Sequence, residues 1–325
     1  MTETAPPWAP PRADEHPPEE LLRRLELRVA RRIDGILHGA HAGLLPGPGT
    51  EPGEARPYRV GDDVRLMDWN VTARTAQAHV RMPVAERELE TWLVADLSAS
   101  MDFGTAWTTK RDLAVAVIAA VGHLAARAGN RVGGLVVQGD LPTARVPART
   151  GRPHLMTLLH TVAATPRRDG TGPGDLGRAV RQVGRIARRR GLVVVVSDFV
   201  GAGAWGRPLA ALGQRHEVVC VEIVDRRELE LPDVGYLTLV DPETGDVLEV
   251  QSASRRVRRR FAEAAAAQRA EVAGTVRAAG ADHLVLRTDR DWLRDVVTFV
   301  ERRRRGRLPG GPAAKRTRGA GTAPS

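Results

Sequence analysis

The run Leu192-Val193-Val194-Val195-Val196, closed by Ser197-Asp198, limits the possible folds more than any other stretch of the chain. Five aliphatic residues in a row offer no polar face, and the run is short, so it reads as a strand covered on both sides. Such a strand needs one layer of structure above it and another below. The flanking pattern supplies both. Short strands are predicted at Thr91–Asp96, Arg131–Gln138, His216–Val224 and Asp282–Leu286, and helices at Lys110–Ala128, Pro153–Ala163, Leu176–Arg190, Ser252–Ala279 and Asp291–Arg304. Strands alternating with helices of this length predict an α/β fold, a mostly parallel central sheet with helices on both faces. Asp225–Gln251 reads as a hairpin insertion turning at Pro242–Gly245.

Ahead of this pattern the chain changes character. Residues 1–18 are polar and Pro-rich and are expected to form a disordered leader. Glu19–Leu37 carries Leu21, Leu22, Leu25, Val29, Ile33 and Ile36 at helical spacing, and Gly39–Gly53 is a Gly- and Pro-rich loop. Short alternating segments such as His79–Met82 suggest strands between turns. The expected organisation is therefore a leader (1–18), a small helix-plus-strand module (19–90), the α/β domain (91–305, with its insertion near 225–251) and a disordered basic tail (306–325). The formal charge is +10, but residues 302–325 hold eight basic residues and no acid, leaving 41 basic against 39 acidic residues, +2, for everything before them. Only Lys110 and Lys315 are lysines, and aromatics are 4% of the chain. A nearly neutral body with few rings to stack on bases argues against nucleic-acid binding. One cysteine, Cys220, excludes a disulfide framework or a Cys-based zinc site. With no long apolar run and no secretory pattern at the N-terminus, no transmembrane segment is expected and the expected location is cytoplasmic.

In open α/β sheets ligands bind outside the carboxyl ends of the strands. The first predicted strand leaves into Asp96-Leu97-Ser98-Ala99-Ser100, a DxSxS pattern, and the central strand leaves into Ser197-Asp198-Phe199. Serine hydroxyls and two carboxylates then meet at one rim, an all-oxygen set of the kind Mg²⁺ prefers. The same residues also suit a structural role, with Asp96 and Asp198 capping turns or helices and Ser98 and Ser100 starting one. Gly201–Gly206 matches GxGxxG with Asp225 beyond it, but Asp198 stands where a pyrophosphate would sit. There is no P-loop and no GxSxG, and His123, His154, His160 and His216 read as packing or surface histidines. Asp62, Asp63 and Asp68 with Arg65 and Arg74 read mainly as turn and ion-pair residues, Trp69 as core, and Cys220 as buried and inert.

DxSxS after the first strand with an aspartate after the central strand is similar to the metal-ion-dependent adhesion site of von Willebrand factor type A domains. The upstream stretch Pro57-Tyr58-Arg59-Val60-Gly61-Asp62-Asp63-Val64-Arg65, with Asp68-Trp69-Asn70 and Ala73-Arg74, resembles the bacterial family labelled domain of unknown function 58. The resemblance continues through Ser197–Phe199, Glu228–Gly235 and Asp241–Gly245 and covers about Glu19 to Arg305. It implies a type A-like domain that binds proteins rather than an enzyme. Members are often encoded beside MoxR-type AAA+ ATPases, which implies an adaptor or co-chaperone role toward such an ATPase or its client, reached through a carboxylate. It implies Mg²⁺ or Mn²⁺ as cofactor, with Ser98 and Ser100 as direct ligands and Asp96 and Asp198 acting through water. Type A domains usually add a loop threonine; aligned on Asp175-Leu176 that position is Gly174, leaving Thr171 or Asp175 as replacements. The alternatives are a metal-dependent hydrolase on the same rim and a metal-independent scaffold.

Overall fold

The computed structural model describes residues 5–12, 14–36, 55–59, 62–64, 67–81, 89–139, 144–167, 174–201 and 204–307. In chain order the elements are α1 (Pro18–Ile36), β1 (Ala55–Pro57), α2 (Trp69–Thr75), β2 (His79–Arg81), β3 (Glu90–Asp96), a 3₁₀ turn (Ala99–Asp102) and α3 (Lys110–Arg127). There follow β4 (Arg131–Val137), β5 (Ala144–Arg149), α4 (Arg152–Ala163), α5 (Leu176–Ile186), β6 (Gly191–Ser197), α6 (Gly206–Gly213) and β7 (Glu217–Val224). The chain continues with α7 (Arg226–Leu229), β8 (Tyr236–Val240), β9 (Val247–Gln251), α8 (Arg255–Ala278), β10 (Asp282–Arg287) and α9 (Trp292–Arg307).

The main sheet has the order β10-β7-β6-β3-β4-β5, parallel throughout except for antiparallel β5 at one edge. Strand order therefore reverses between β3 and β6, and this is the topological switch point where α/β sheets open a crevice. Side chains alternate across the sheet with period two. Leu93, Ala95, Leu192, Val194, Val196, Val219 and Val221 enter one core with α1, α3, α4 and α9. Trp92, Val94, Val193, Val195, Val218 and Cys220 enter the other with α5, α6 and α8. The expected α/β architecture, a mostly parallel sheet with helices on both faces, is what the chain forms.

Three features differ from the sequence expectations. Residues of the Pro-rich leader pack onto the domain: Ala9 is buried, Trp8 lies against the first core, and the Trp292 indole donates to the Trp8 carbonyl at 3.0 Å. Two tryptophans bury enough apolar area to hold a segment whose composition alone predicts disorder. Trp69, expected in the core, is 70% exposed at the start of α2. The local reason is the cap: Asp68, itself buried, accepts from the Asn70 and Val71 amides and turns the next residue outward. Finally, β5 and α6 are elements the pattern does not announce, the first because its residues are mostly exposed and include Pro147, tolerated at a sheet edge. β1 and β2 pair antiparallel beside α2, and β8 pairs with β9 as a separate two-stranded ribbon.

Candidate functional site

β3 and β6 are neighbours across the switch point, so their carboxyl ends deliver the DxSxS loop and Ser197-Asp198 to one place. Ala99 and Met101, fully buried, pin the 3₁₀ turn to the core and leave Ser98 and Ser100 on the rim side. Just after β6, Phe199 adopts φ = 54°, a left-handed conformation costly for a bulky residue. It is held there by its amide's hydrogen bond to Ser197 Oγ (2.9 Å) and by the edge of Trp205, 5.1 Å between ring centres. This kink turns Asp198 back over the rim, and such strain clusters where a side chain must be aimed.

Asp96 is buried, and both its oxygens are engaged: Oδ1 accepts from the Ser98 amide at 3.1 Å and Oδ2 from the Ser197 hydroxyl at 2.7 Å. The hydroxyls of Ser98 and Ser100 are 3.2 Å apart. Asp198 Oδ1 accepts from the Val200 amide at 3.0 Å, while Oδ2 accepts from Lys110 Nζ at 2.7 Å. The structure thus brings Asp96, Ser98, Ser100 and Asp198 together. It does not bring Asp175 to them, for that carboxylate caps α5 by accepting from the Arg178 amide at 2.7 Å. Thr171 lies outside the described residues. Gly174 faces the rim instead: a β-carbon built on it would stand 3.2 Å from Asp96 Oδ1 and 3.6 Å from Ser98 Oγ.

The residues that sequence reasoning missed are those that brace the rim. Lys110, 1% exposed at the start of α3, bonds both Asp198 and Glu228 of α7. A cation at a helix N-terminus opposes the helix dipole, so the two carboxylates, not the helix, hold it there. Its sequence signal was that it is the only lysine before the tail. A guanidinium fork is larger and planar, whereas an ammonium is a compact point charge with three donors. The next residue, Arg111, bonds Asp102 and the Leu97 carbonyl (2.7 Å), fixing both ends of the DxSxS loop. Arg269 of α8 donates to the Asp198 carbonyl (3.2 Å) and to buried Glu222 (2.6 Å), which also pairs with His283 at 2.7 Å.

The electrostatics follow from this bracing. Burial and the neighbouring Asp198 charge push the Asp96 carboxyl above its ordinary range. Burial pushes Asp198 the same way, but the Lys110 ammonium more than offsets it and holds Asp198 below that range. Burial would lower Lys110, and the two carboxylates overcome it and raise it. Among the described residues no three His, Cys, Asp or Glu side chains gather into a metal cage, so a cation here depends on hydroxyl ligands. The donor set suits one. Two cis ligands on Mg²⁺, each about 2.1 Å from the ion, lie about 3 Å apart, close to the observed serine spacing. Both carboxylates are tied to protein donors, so the paired hydroxyls of Ser98 and Ser100 are the oxygens that would ligate a cation directly.

Among solved structures, the chain is similar to BatB from Bacteroides thetaiotaomicron (11% identity, TM-score 0.38, 66% of this chain and 98% of that one). It is also similar to the SpRpn10 VWA domain (12%, 0.37, 64% and 93%) and to a von Willebrand factor type A protein from Catenulispora acidiphila (14%, 0.36, 68% and 43%). Uncharacterized protein Rv1480 of Mycobacterium tuberculosis (strain ATCC 25618 / H37Rv) is 56% identical over 289 residues, 89% of this chain and 90% of the relative. Uncharacterized protein MAV169 of Mycobacterium avium is 51% identical over 166 residues, 51% of this chain and 98% of the relative. Residues 54–271, from β1 well into α8, match the family described as Protein of unknown function DUF58, and the chain belongs to that family.

Proposed function

We propose that this chain is a non-enzymatic protein-binding module that uses Mg²⁺ or Mn²⁺ at the β3–β6 rim to take a carboxylate from a protein partner. The observation that carries the reading is the pair of serine hydroxyls 3.2 Å apart beside two buried aspartates. In this reading Ser98 and Ser100 ligate directly, while Asp96 and Asp198 act through water. A bound divalent cation with neutral hydroxyl ligands supplies an electron-poor centre that favours an anionic oxygen as a further ligand. The chain's own residues do the rest: Lys110 and Arg269 aim Asp198, Arg111 holds the loop, and Ser197 orients Asp96. Gly174 adds no oxygen, which argues for modest affinity in the free protein. The partner we propose is a MoxR-type AAA+ ATPase or its client, in an adaptor role, and the location cytoplasmic. Among the described residues no helix is long and apolar enough to cross a membrane.

Calorimetric titration of Mg²⁺ and Mn²⁺ into the wild type, Asp96→Ala and Ser100→Ala tests this. Binding by the wild type that both substitutions abolish is the expected result. Absence of binding at millimolar metal overturns the metal-dependent reading, and metal-dependent turnover of p-nitrophenyl phosphate overturns the non-enzymatic one.

A further inference from the structure

Between β7 and α8 the chain forms a ribbon that the rest of the fold leaves open. β8 and β9 make a two-stranded sheet, and among the described residues their backbones hydrogen-bond to no third strand. Two strands by themselves are marginal in water, and a further strand or a covering element normally completes them. The ribbon is clamped at its base: buried Ser252 donates from its amide (2.7 Å) and hydroxyl (2.9 Å) to the Gly235 carbonyl, and Arg258 pairs with Asp233 at 3.0 Å. At the tip the Asp241 amide donates to the Asp246 carbonyl at 2.9 Å, and Gly245 takes φ = 79°, a left-handed turn that glycine adopts readily.

The backbone bonds at the two ends set which way every group between them points. Gly235 faces Ser252 and Asp241 faces Asp246 as hydrogen-bonded pairs, and such pairs alternate along an antiparallel ladder. Leu237–Val250 and Leu239–Leu248 are therefore bonded pairs as well, while Tyr236–Gln251, Thr238–Glu249 and Val240–Val247 are not. The amides and carbonyls of Tyr236, Thr238 and Val240 consequently point outward from the free edge of β8. The same residues carry exposed side chains, Tyr236 at 79% and Val240 at 61%, with Val247 across from Val240 at 63%. An open edge lined with aromatic and β-branched residues is a template for another strand.

Charge selects what can add there. Residues 229–254 hold six acids and no base, in a chain whose net charge is +10. Glu249, exposed and directly across from Thr238, brings one of these charges to the middle of the ribbon. Two copies of the chain joined edge to edge would set like charges against each other, so a second copy is disfavoured. β9 leads within a few residues to the exposed Arg255 and Arg256 of α8, whereas β8 follows the exposed Glu230 and Asp233, so a cationic strand is drawn to the edge of β8. We infer that this edge is a docking site for an extended segment of a partner protein, rich in Lys or Arg and in aliphatic residues. The segment adds as a third strand: its backbone pairs with Tyr236, Thr238 and Val240, its aliphatic side chains cover Tyr236 and Val240, and its cations meet the acids of the ribbon. The site needs no metal at the rim.

The test uses the full-length protein and, as probe, a capped, fluorescein-labelled peptide of alternating lysine and valine, with binding read by anisotropy. Thr238→Pro removes one outward amide without touching the ladder to β9, Thr238→Val keeps that amide, and Glu249→Lys reverses a charge. The expected result is saturable binding by wild type and Thr238→Val, weakened about tenfold in Thr238→Pro and in Glu249→Lys. Amide hydrogen exchange should slow at Tyr236, Thr238 and Val240 when peptide is added, while Leu237 and Leu239 stay protected throughout. The same peptide N-methylated at alternate backbone amides should lose most of its affinity. Equal binding of the plain and methylated peptides, or equal binding by wild type and Thr238→Pro, shows attraction by charge alone and overturns strand addition. So does slowed exchange that spares the three outward amides, or no binding at all. Dimerisation of the wild type in sedimentation, with those amides protected before peptide is added, gives the edge to a second copy and overturns the basic partner. If Thr238→Pro loses protection at Leu237 and Leu239, its hairpin has opened, and the methylated peptide and Glu249→Lys decide.

Discussion

At the residue scale the site turns on one ammonium. Lys110 neutralises Asp198 and Glu228 from a position almost sealed from water. Removing one partner of a buried charge group leaves the others uncompensated, at a cost of about 3–5 kcal/mol. Lys110→Met is therefore expected to lower unfolding stability by about 3 kcal/mol in urea titrations with a chelator present. If a divalent cation binds the rim, millimolar Mg²⁺ should restore more stability to Lys110→Met than to wild type, because a ligand stabilises the state it binds. Equal Mg²⁺ effects on the two proteins would separate the ammonium from the proposed cation site. Cys220 shows the opposite situation. It is fully buried in β7, and burial pushes its thiol far above its ordinary value, so it serves as a packing residue, as its place in an apolar strand suggested.

At the scale of elements, α8 has a task that its exposed, Arg-rich sequence hides. Arg269 reaches from it to Glu222 on β7 and to the carbonyl of Asp198 at the end of β6. Arg269→Met should leave Glu222 with His283 alone, lowering stability by about 3 kcal/mol, measured as a shift in the urea midpoint. The strands β3, β6 and β7 were legible because a strand covered on both faces must be continuously apolar, and the rim residues because they follow those strands directly. The edge strand β5 was not, since Ala144–Arg149 is mostly exposed and carries no apolar run. Nor was α6, whose first residue belongs to the glycine pattern Gly201–Gly206 that reads equally well as a loop. Lys110 was hidden for a different reason. It acts on residues far away in the chain, and local periodicity contains nothing about pairings that only the strand order creates. Trp69 failed for want of context, because an aromatic side chain does not itself say which way its helix faces.

Across the whole molecule, stability depends on pH through histidines enclosed without full hydrogen bonding. Among the described residues, neither ring nitrogen of His216 has a hydrogen-bond partner, and Nε2 of His123 has none. Burial lowers the pKa of both, against the pull of Glu26 on His123 and of Glu90 on His216. Each ring is harder to protonate folded than unfolded, so the unfolded chain binds more protons below the ordinary value of 6.5. Their contribution is complete above that pH and is lost as pH falls through it. The urea midpoint should therefore decline more steeply between pH 7.5 and 5.5 in wild type than in His123→Gln. The comparison isolates the ring from Asp96, whose raised pKa acts in the opposite direction. Equal slopes would show that His123 does not contribute.

The two basic residues that open α3 have a mechanical consequence. Lys110 grips the end of β6 and Arg111 grips the loop after β3, so the two halves of the rim are bolted to one rod. That rod runs beneath the sheet and is flanked by α1 and α4. A force that tugs on Ser98–Asp102 or on Asp198 is thus borne by the same helix, and α1, which carries the chain's opening segment, leans on the member under load.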